Sequence, residues 1–201
     1  DNSEKTPFSR GQHISDAPDS LDVISMMYPA ELAAFELVDM QTVHAKGTKV
    51  VYTISFDKIQ KEYTEKVKEG TETGSFDTYL KSEMDKQIGY AGSFDGMITE
   101  YKGNNPIYMS AEQKAEAKKY QDIFFSAVLT WKTANADKLL TFQGYPENLI
   151  EQTILTNCKH IILATDNVTD DAQLSVFARL AMAAAGVPTD RFVVAVSTAS
   201  L

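Results

Sequence analysis

Short apolar runs along this chain alternate with longer stretches whose apolar residues return every three or four positions. "LDVISMMY" (21–28) is rich in β-formers and predicts a strand. "PAELAAFELVDMQTVHAKG" (29–47) predicts a helix, with Pro29 in a first turn, Leu32, Phe35, Val38 and Val43 at helical spacing, and Gly47 at the stop. "KVVYTISF" (49–56) predicts the next strand, and the charged stretch 57–75, ending in "GTETG", reads as a long loop with at most a helical turn. A helix over 76–92 carries Tyr79, Leu80, Met84 and Ile88 on one side, and "SFDGMITEY" follows as a strand. Ser110 and Gln113 have capping-box spacing and open a helix to about Thr133, with Tyr120, Phe124, Ala127, Val128 and Trp131 as its apolar stripe. Strands at 138–145, 159–165 and 191–198 are separated by helices at 146–155 and 169–186. Six strands separated by helices require parallel pairing with right-handed crossovers. Both a doubly wound sheet and a (β/α)8 barrel satisfy this alternation. No GxGxxG or Walker sequence follows a strand, which weakens a nucleotide-binding reading.

Composition adds limits. The 201 residues are 43% hydrophobic and 23% charged, enough apolar mass for one globular domain over 1–201, with 1–20 as an N-terminal loop segment. Net charge is −9 and the lysines at 58–68 and 114–119 alternate with glutamates, so no basic face for nucleic acid is expected. No apolar run reaches the length of a membrane span, and the polar start shows no signal peptide. The single cysteine, Cys158, excludes an internal disulfide and a multi-cysteine zinc site, and its place before "HIILAT" reads as buried and inert. His13, His44 and His160 lack ligand spacing and read as structural. No metal or cofactor is implied.

The segment "SFDGMITEYKG" (93–103) carries the most chemistry, with Asp95, Glu100 and Lys102 close together on one predicted strand. It resembles the fourth barrel strand of glycoside hydrolase family 18, the chitinase and endo-β-N-acetylglucosaminidase family, whose signature reads D-G-x-D-x-D-x-E. Phe94, Asp95, Gly96 and Tyr101 match; Ile98 falls on the second Asp, Glu100 on the third and Lys102 on the catalytic Glu. "APDSLDVISMM" and "MQTVHAKGTKVVYTISF" look like the second and third strand units of Bacteroidetes surface-type members, "KLLTFQGYPENL" is similar to their fifth and "DRFVVAVST" to their seventh. The resemblance implies a TIM-barrel-like (β/α)8 fold. A complete barrel takes roughly 250 residues, and strands two to seven are found, so the barrel is expected to be incomplete or abbreviated in this chain. Such proteins are surface lipoproteins or periplasmic, so the resemblance implies an extracytoplasmic location.

The family's mechanism is substrate-assisted: the glutamate protonates the glycosidic oxygen while an aspartate orients the substrate's N-acetyl group. Alternation puts Ile98, Glu100 and Lys102 on one face. A lysine, with a reference pKa of about 10.4, is a poor proton donor at neutral pH, and Lys102 is placed to pair with Glu100 instead. On the sixth strand the family's Gln or Met and Tyr correspond to Ala164 and Asp166, which removes the tyrosine that would hold the N-acetyl group. The resemblance therefore implies a pseudoenzyme that binds N-acetylglucosamine-containing glycans at the C-terminal strand ends. Those ends offer Met27, Tyr28, Phe56, Tyr101, Gln143, Tyr145, Asp166 and Ser197, with Glu100 and Lys102 beside them. Two alternatives stay open: an assembly module that binds a partner protein, and an active glycosidase with Glu100 as the acid. An unrelated α/β protein with an ordinary "FDG" strand end is the bland alternative.

Overall fold

The computed structural model describes residues 13–165 and 167–196. Over these residues the strands are β1 (Val23–Met26), β2 (Lys49–Ser55), β3 (Gly96–Tyr101), β4 (Leu139–Gly144), β5 (His160–Leu163) and β6 (Phe192–Val194). All neighbours pair in parallel, in the order β1-β2-β3-β4-β5-β6. A doubly wound sheet reverses its strand order at a switch point; this sheet never does. It curls as a half-barrel, and strand order thus decides what alternation left open.

The helices are α1 (Ala34–Ala45), α2 (Phe56–Lys68), α3 (Phe76–Ile88), α4 (Ala111–Ala134), α5 (Thr153–Thr156) and α6 (Asp171–Ala183). Several start where a side-chain oxygen meets a free N–H: Ser55 accepts from Lys58, Ser75 from Thr78 and Asp170 from Gln173. At α4 the Ser110 hydroxyl accepts from the Gln113 N–H and the Gln113 amide accepts from the Ser110 N–H, the reciprocal box expected from the sequence.

Three elements depart from expectation. The stretch read as a loop after β2 forms α2 over 13 residues. Its Phe56, Ile59 and Tyr63 recur at helical spacing, a stripe just wide enough to dock a helix whose other faces are charged. The helix expected from Pro29 begins instead at Ala34, after a 3-10 turn at Pro29–Glu31, because the Glu36 carboxylate reaches back to the Ala33 N–H and fixes the start there. The helix expected over 146–155 divides into a 3-10 turn at Pro146–Asn148 and the single turn of α5.

Alternation splits each strand between two environments. Met26, Val50, Tyr52, Ile54, Met97, Tyr101, Leu140, Phe142, Ile161 and Leu163 face the helices and join one core with Leu80 and Met84 of α3 and Phe124 and Val128 of α4. The intervening residues form the interior face. Register sets them in layers, Thr53–Ile98–Thr141 and, one pleat nearer the C-terminal ends, Ser55–Glu100–Gln143. Cys158 lies in the core at 2% exposure, and burial pushes its thiol up to about 12. Within the described residues no helix is long and apolar enough to cross a membrane.

Candidate functional site

The sequence-predicted motif runs the whole length of β3, so its residues lie at different heights. Asp95 is at the N-terminal foot. Its carboxylate accepts the Val50 N–H at 2.7 Å, its own N–H donates to the Val50 carbonyl at 2.8 Å, and His44 Nε2 lies 2.6 Å away. Asp95 therefore ties β3 to β2 and to the end of α1, far from the mouth. Ile98 is buried midway, at 7% exposure. Glu100 and Lys102 stand at the C-terminal end on the interior side, with Lys102 Nζ 3.6 Å from Glu100 Oε1. The Glu100 side chain is 20% exposed and that of Lys102 41%, so the pair sits at the solvent margin of the half-barrel. Ser55 and Gln143 flank Glu100 in register.

The backbone at Lys102 is held from both sides. Its N–H donates to Asp57 Oδ2 at 2.9 Å, and its carbonyl accepts from the Asn148 amide at 2.7 Å. Asn148 also donates to the Gly103 carbonyl. Behind this clamp Gln121 of α4 donates to the Tyr101 hydroxyl at 2.9 Å and to the Asn148 carbonyl at 3.2 Å, while its own carbonyl takes the Ile150 N–H. At Gly103 the chain turns with φ +48°, where a side chain would strike the Tyr101 ring. Asp57, Asn148 and Gln121 were missed by the sequence reading. Asp57, two residues beyond the end of β2, and Asn148, in the turn after β4, had only position as a signal.

The other expected contact residues do not form one platform. Tyr101 and Phe56 are on the helix side, at 3% and 5% exposure, with ring centroids 5.1 Å apart. Their placement in the ligand cleft is corrected by simple geometry. The alternation that puts Glu100 and Lys102 inside puts Tyr101 outside, and the start of α2 swings Phe56 into the core. Burial raises the Tyr101 phenol pKa. Gln143 is on the interior face beside Glu100. Tyr145 leans onto α6, stacked on Phe177 at 5.8 Å and 17°. Tyr28 is 40% exposed at the turn after β1, and Met27 is 57% exposed beside it. Asp166 and Ser197 lie outside the described residues. The described mouth thus unites Glu100, Lys102 and Gln143, with Tyr28 and Tyr145 on its periphery.

Chemically this is a site of polar recognition. A carboxylate, an ammonium and an amide supply acceptors and donors on one wall, and the interior side chains of the neighbouring strands add the hydroxyls of Ser25, Thr53 and Ser55. Among the described residues no group of three or more His, Cys, Asp or Glu side chains could hold a metal ion.

The comparisons place this geometry. The family model for glycoside hydrolase family 18, BT1044-like, matches residues 1–199. A comparison with curated proteins returns no match. Among solved structures, the apo form of an endo-β-N-acetylglucosaminidase from Cordyceps militaris is similar in fold, with a TM-score of 0.61 at 13% identity. The similarity covers 91% of this chain and 59% of that one, so the chain spans less than two thirds of the fungal protein's length. A family match over nearly every residue, on a curled sheet of parallel strands in sequential order, leads to one conclusion: the chain belongs to glycoside hydrolase family 18, in its BT1044-like group.

Proposed function

We propose that this chain is a non-catalytic member of its family that binds N-acetylglucosamine-containing glycans at the C-terminal mouth of the half-barrel. One observation carries the reading. By the resemblance of 93–103 to the family signature, Lys102 falls where the family has its proton-donating glutamate, and its ammonium group lies 3.6 Å from the Glu100 carboxylate. An ammonium beside a carboxylate can hydrogen-bond hydroxyl and acetamido groups, but it is not the neutral carboxylic acid that glycosidic cleavage uses. Ile98, buried in the layer below, supplies no carboxylate to orient an N-acetyl group. What remains on the wall, Glu100, Lys102 and Gln143, suits binding without turnover.

The test has two arms. A glycan array is expected to give signal for N-acetylglucosamine-containing glycans, reduced by Lys102→Ala and by Gln143→Ala. A chitobiose-type fluorogenic substrate is expected to stay intact. Hydrolysis abolished by Glu100→Gln would restore an enzyme that uses Glu100 as its acid. Silence across all N-acetylated glycans would favour the assembly reading, for which two separate sets of exposed apolar residues are available, Leu37 and Val38 on α1 and Val176, Leu180 and Met182 on α6.

A further inference from the structure

On the helix side of the sheet, opposite the face that carries Glu100 and Lys102, a groove of about 500 Å³ opens between α2, the start of α4 and the segment 103–109, with the buried rings of Phe56 and Tyr101 at its floor. That volume is within the usual range for small-ligand sites, roughly 300–1,000 Å³. We propose that this groove is a second binding site, for a neutral saccharide.

Three features of the groove argue for this. The first is an exposed aromatic face on a well-held loop. Tyr108 is 84% exposed and makes no ring contact among the described residues, yet the loop that carries it is tightly held. Asn148 clamps its start at Lys102 and Gly103, the Asn105 side chain accepts the Ile107 N–H, the Met109 N–H donates to the Pro106 carbonyl, and the Ser110 box closes its end. Because the backbone that carries the ring is already held, a ligand that covers it need order only the two side-chain torsions of a tyrosine. The ring offers the apolar surface that the C–H face of a pyranose needs.

The second feature is uncommitted amide groups. The side chains of Gln60 and Asn104 make no hydrogen bond among the described residues. Asn105 and Gln113 use their carbonyl oxygens within the loop and leave their NH2 groups open. One amide both donates and accepts, which matches hydroxyl groups that do the same.

The third feature is charge. Among the described residues the only charged side chain lining the groove is Glu116, which accepts a hydrogen bond from the Tyr120 hydroxyl at 3.2 Å. With no cation in that lining, and with Lys119 beside Tyr120 already paired with Asp77, the groove holds no free counter-charge for a phosphate or sulfate group. Alternating rings and amides also suit a polyhydroxylated ligand better than an apolar peptide, which would leave those amides buried and unpaired.

The experiment is a titration of the ¹⁵N-labelled chain with chitotetraose, cellotetraose and mannotriose, reading the side-chain NH2 signals of Gln60, Asn104 and Gln113. At least one saccharide is expected to move these signals saturably. Tyr108→Ala, at an exposed position with no packing to lose, is expected to weaken that binding about tenfold, the scale of one lost aromatic contact. Lys102→Ala, in the mouth, is expected to leave it unchanged, so failure at the mouth and failure at the groove are told apart. The proposal is overturned if no saccharide moves these signals, if Tyr108→Ala leaves the affinity unchanged, or if Lys102→Ala abolishes the shifts. A response to inorganic pyrophosphate or to a proline-rich peptide without one to the saccharides would also overturn it.

Discussion

Glu100 of β3 and Lys102, one residue past the strand's end, point to the same side with their charged groups 3.6 Å apart, and Tyr101 between them faces the opposite way into the core. The two charges are partly solvated, so their attraction is modest. A double-mutant cycle with Glu100→Gln and Lys102→Met is expected to give a coupling below about 1 kcal/mol, the range for exposed ion pairs. The coupling should shrink further in high salt. Urea denaturation of the four proteins measures it. A coupling of several kcal/mol would mean a pair far more desolvated than this geometry allows.

Asp95 makes a contrasting prediction from the other end of the same strand. Its carboxylate holds the N–H of Val50, a residue with no exposed surface. Asp95→Ala leaves that N–H unpaired, at a cost of about 1–3 kcal/mol. The denaturation midpoint should fall, while glycan binding at the mouth, once measured on folded protein, stays the same. Loss of binding without loss of stability would show that Asp95 acts in recognition.

These two ends explain what the sequence made legible. Hydrophobic periodicity located each of the strands β1 to β6, and the box at Ser110 located α4, because both signals are local. The face shared by Ile98, Glu100 and Lys102 was equally readable from alternation. The same alternation placed Tyr101 on the other face, a consequence the sequence reading did not carry through when it set Tyr101 in the cleft. α2 was missed because Phe56, Ile59 and Tyr63 form a thin stripe within a charged stretch. The clamp on Lys102 was out of reach for another reason. It joins Asp57, Gln121 and Asn148, residues far apart in the chain whose meeting depends on strand order, and strand order was the question alternation could not answer.

Gly144 and Gly89 form a matched pair of probes for that close packing. Gly144 has φ +144°, and a Cβ there would collide with the Tyr101 carbonyl. A Cβ at Gly89 would meet no atom within 4 Å, and the backbone there has a helical φ of −57°. Gly144→Ala is expected to destabilise by about 2 kcal/mol or more. Gly89→Ala should be neutral or slightly stabilising, since it restricts the unfolded chain. Thermal melts of both variants check the contrast, and equal effects would contradict the tight approach of β4 to β3.

Cys158 should resist thiol reagents. The side chain is 2% exposed, and burial pushes its thiol up to about 12, so almost no thiolate exists at pH 8. Reaction with a disulfide reagent is expected to follow the unfolding rate, accelerating with denaturant. Rapid labelling in native buffer would show that the segment before β5 opens locally.

Glu147 provides the pH test. It follows β4, next to the Asn148 that holds Lys102, and its Oε2 is buried without a hydrogen-bond partner among the described residues. Burial raises its carboxyl pKa above the ordinary value. The folded state then holds the proton more tightly than the unfolded chain. The stability this contributes is fully present below the unfolded pKa and is lost as pH rises through the folded one. Asp77 and Glu112 run the other way, their carboxyls lowered by the hydrogen bonds from Lys119 and from the Glu112 backbone, so the whole protein's pH profile mixes signs. The difference between wild type and Glu147→Gln isolates one carboxyl. Urea midpoints should show Glu147→Gln more stable than wild type at pH 7, with the gap closing toward pH 4. A gap that widens on acidification would mean that the Glu147 carboxylate is stabilised in the fold and not penalised by it.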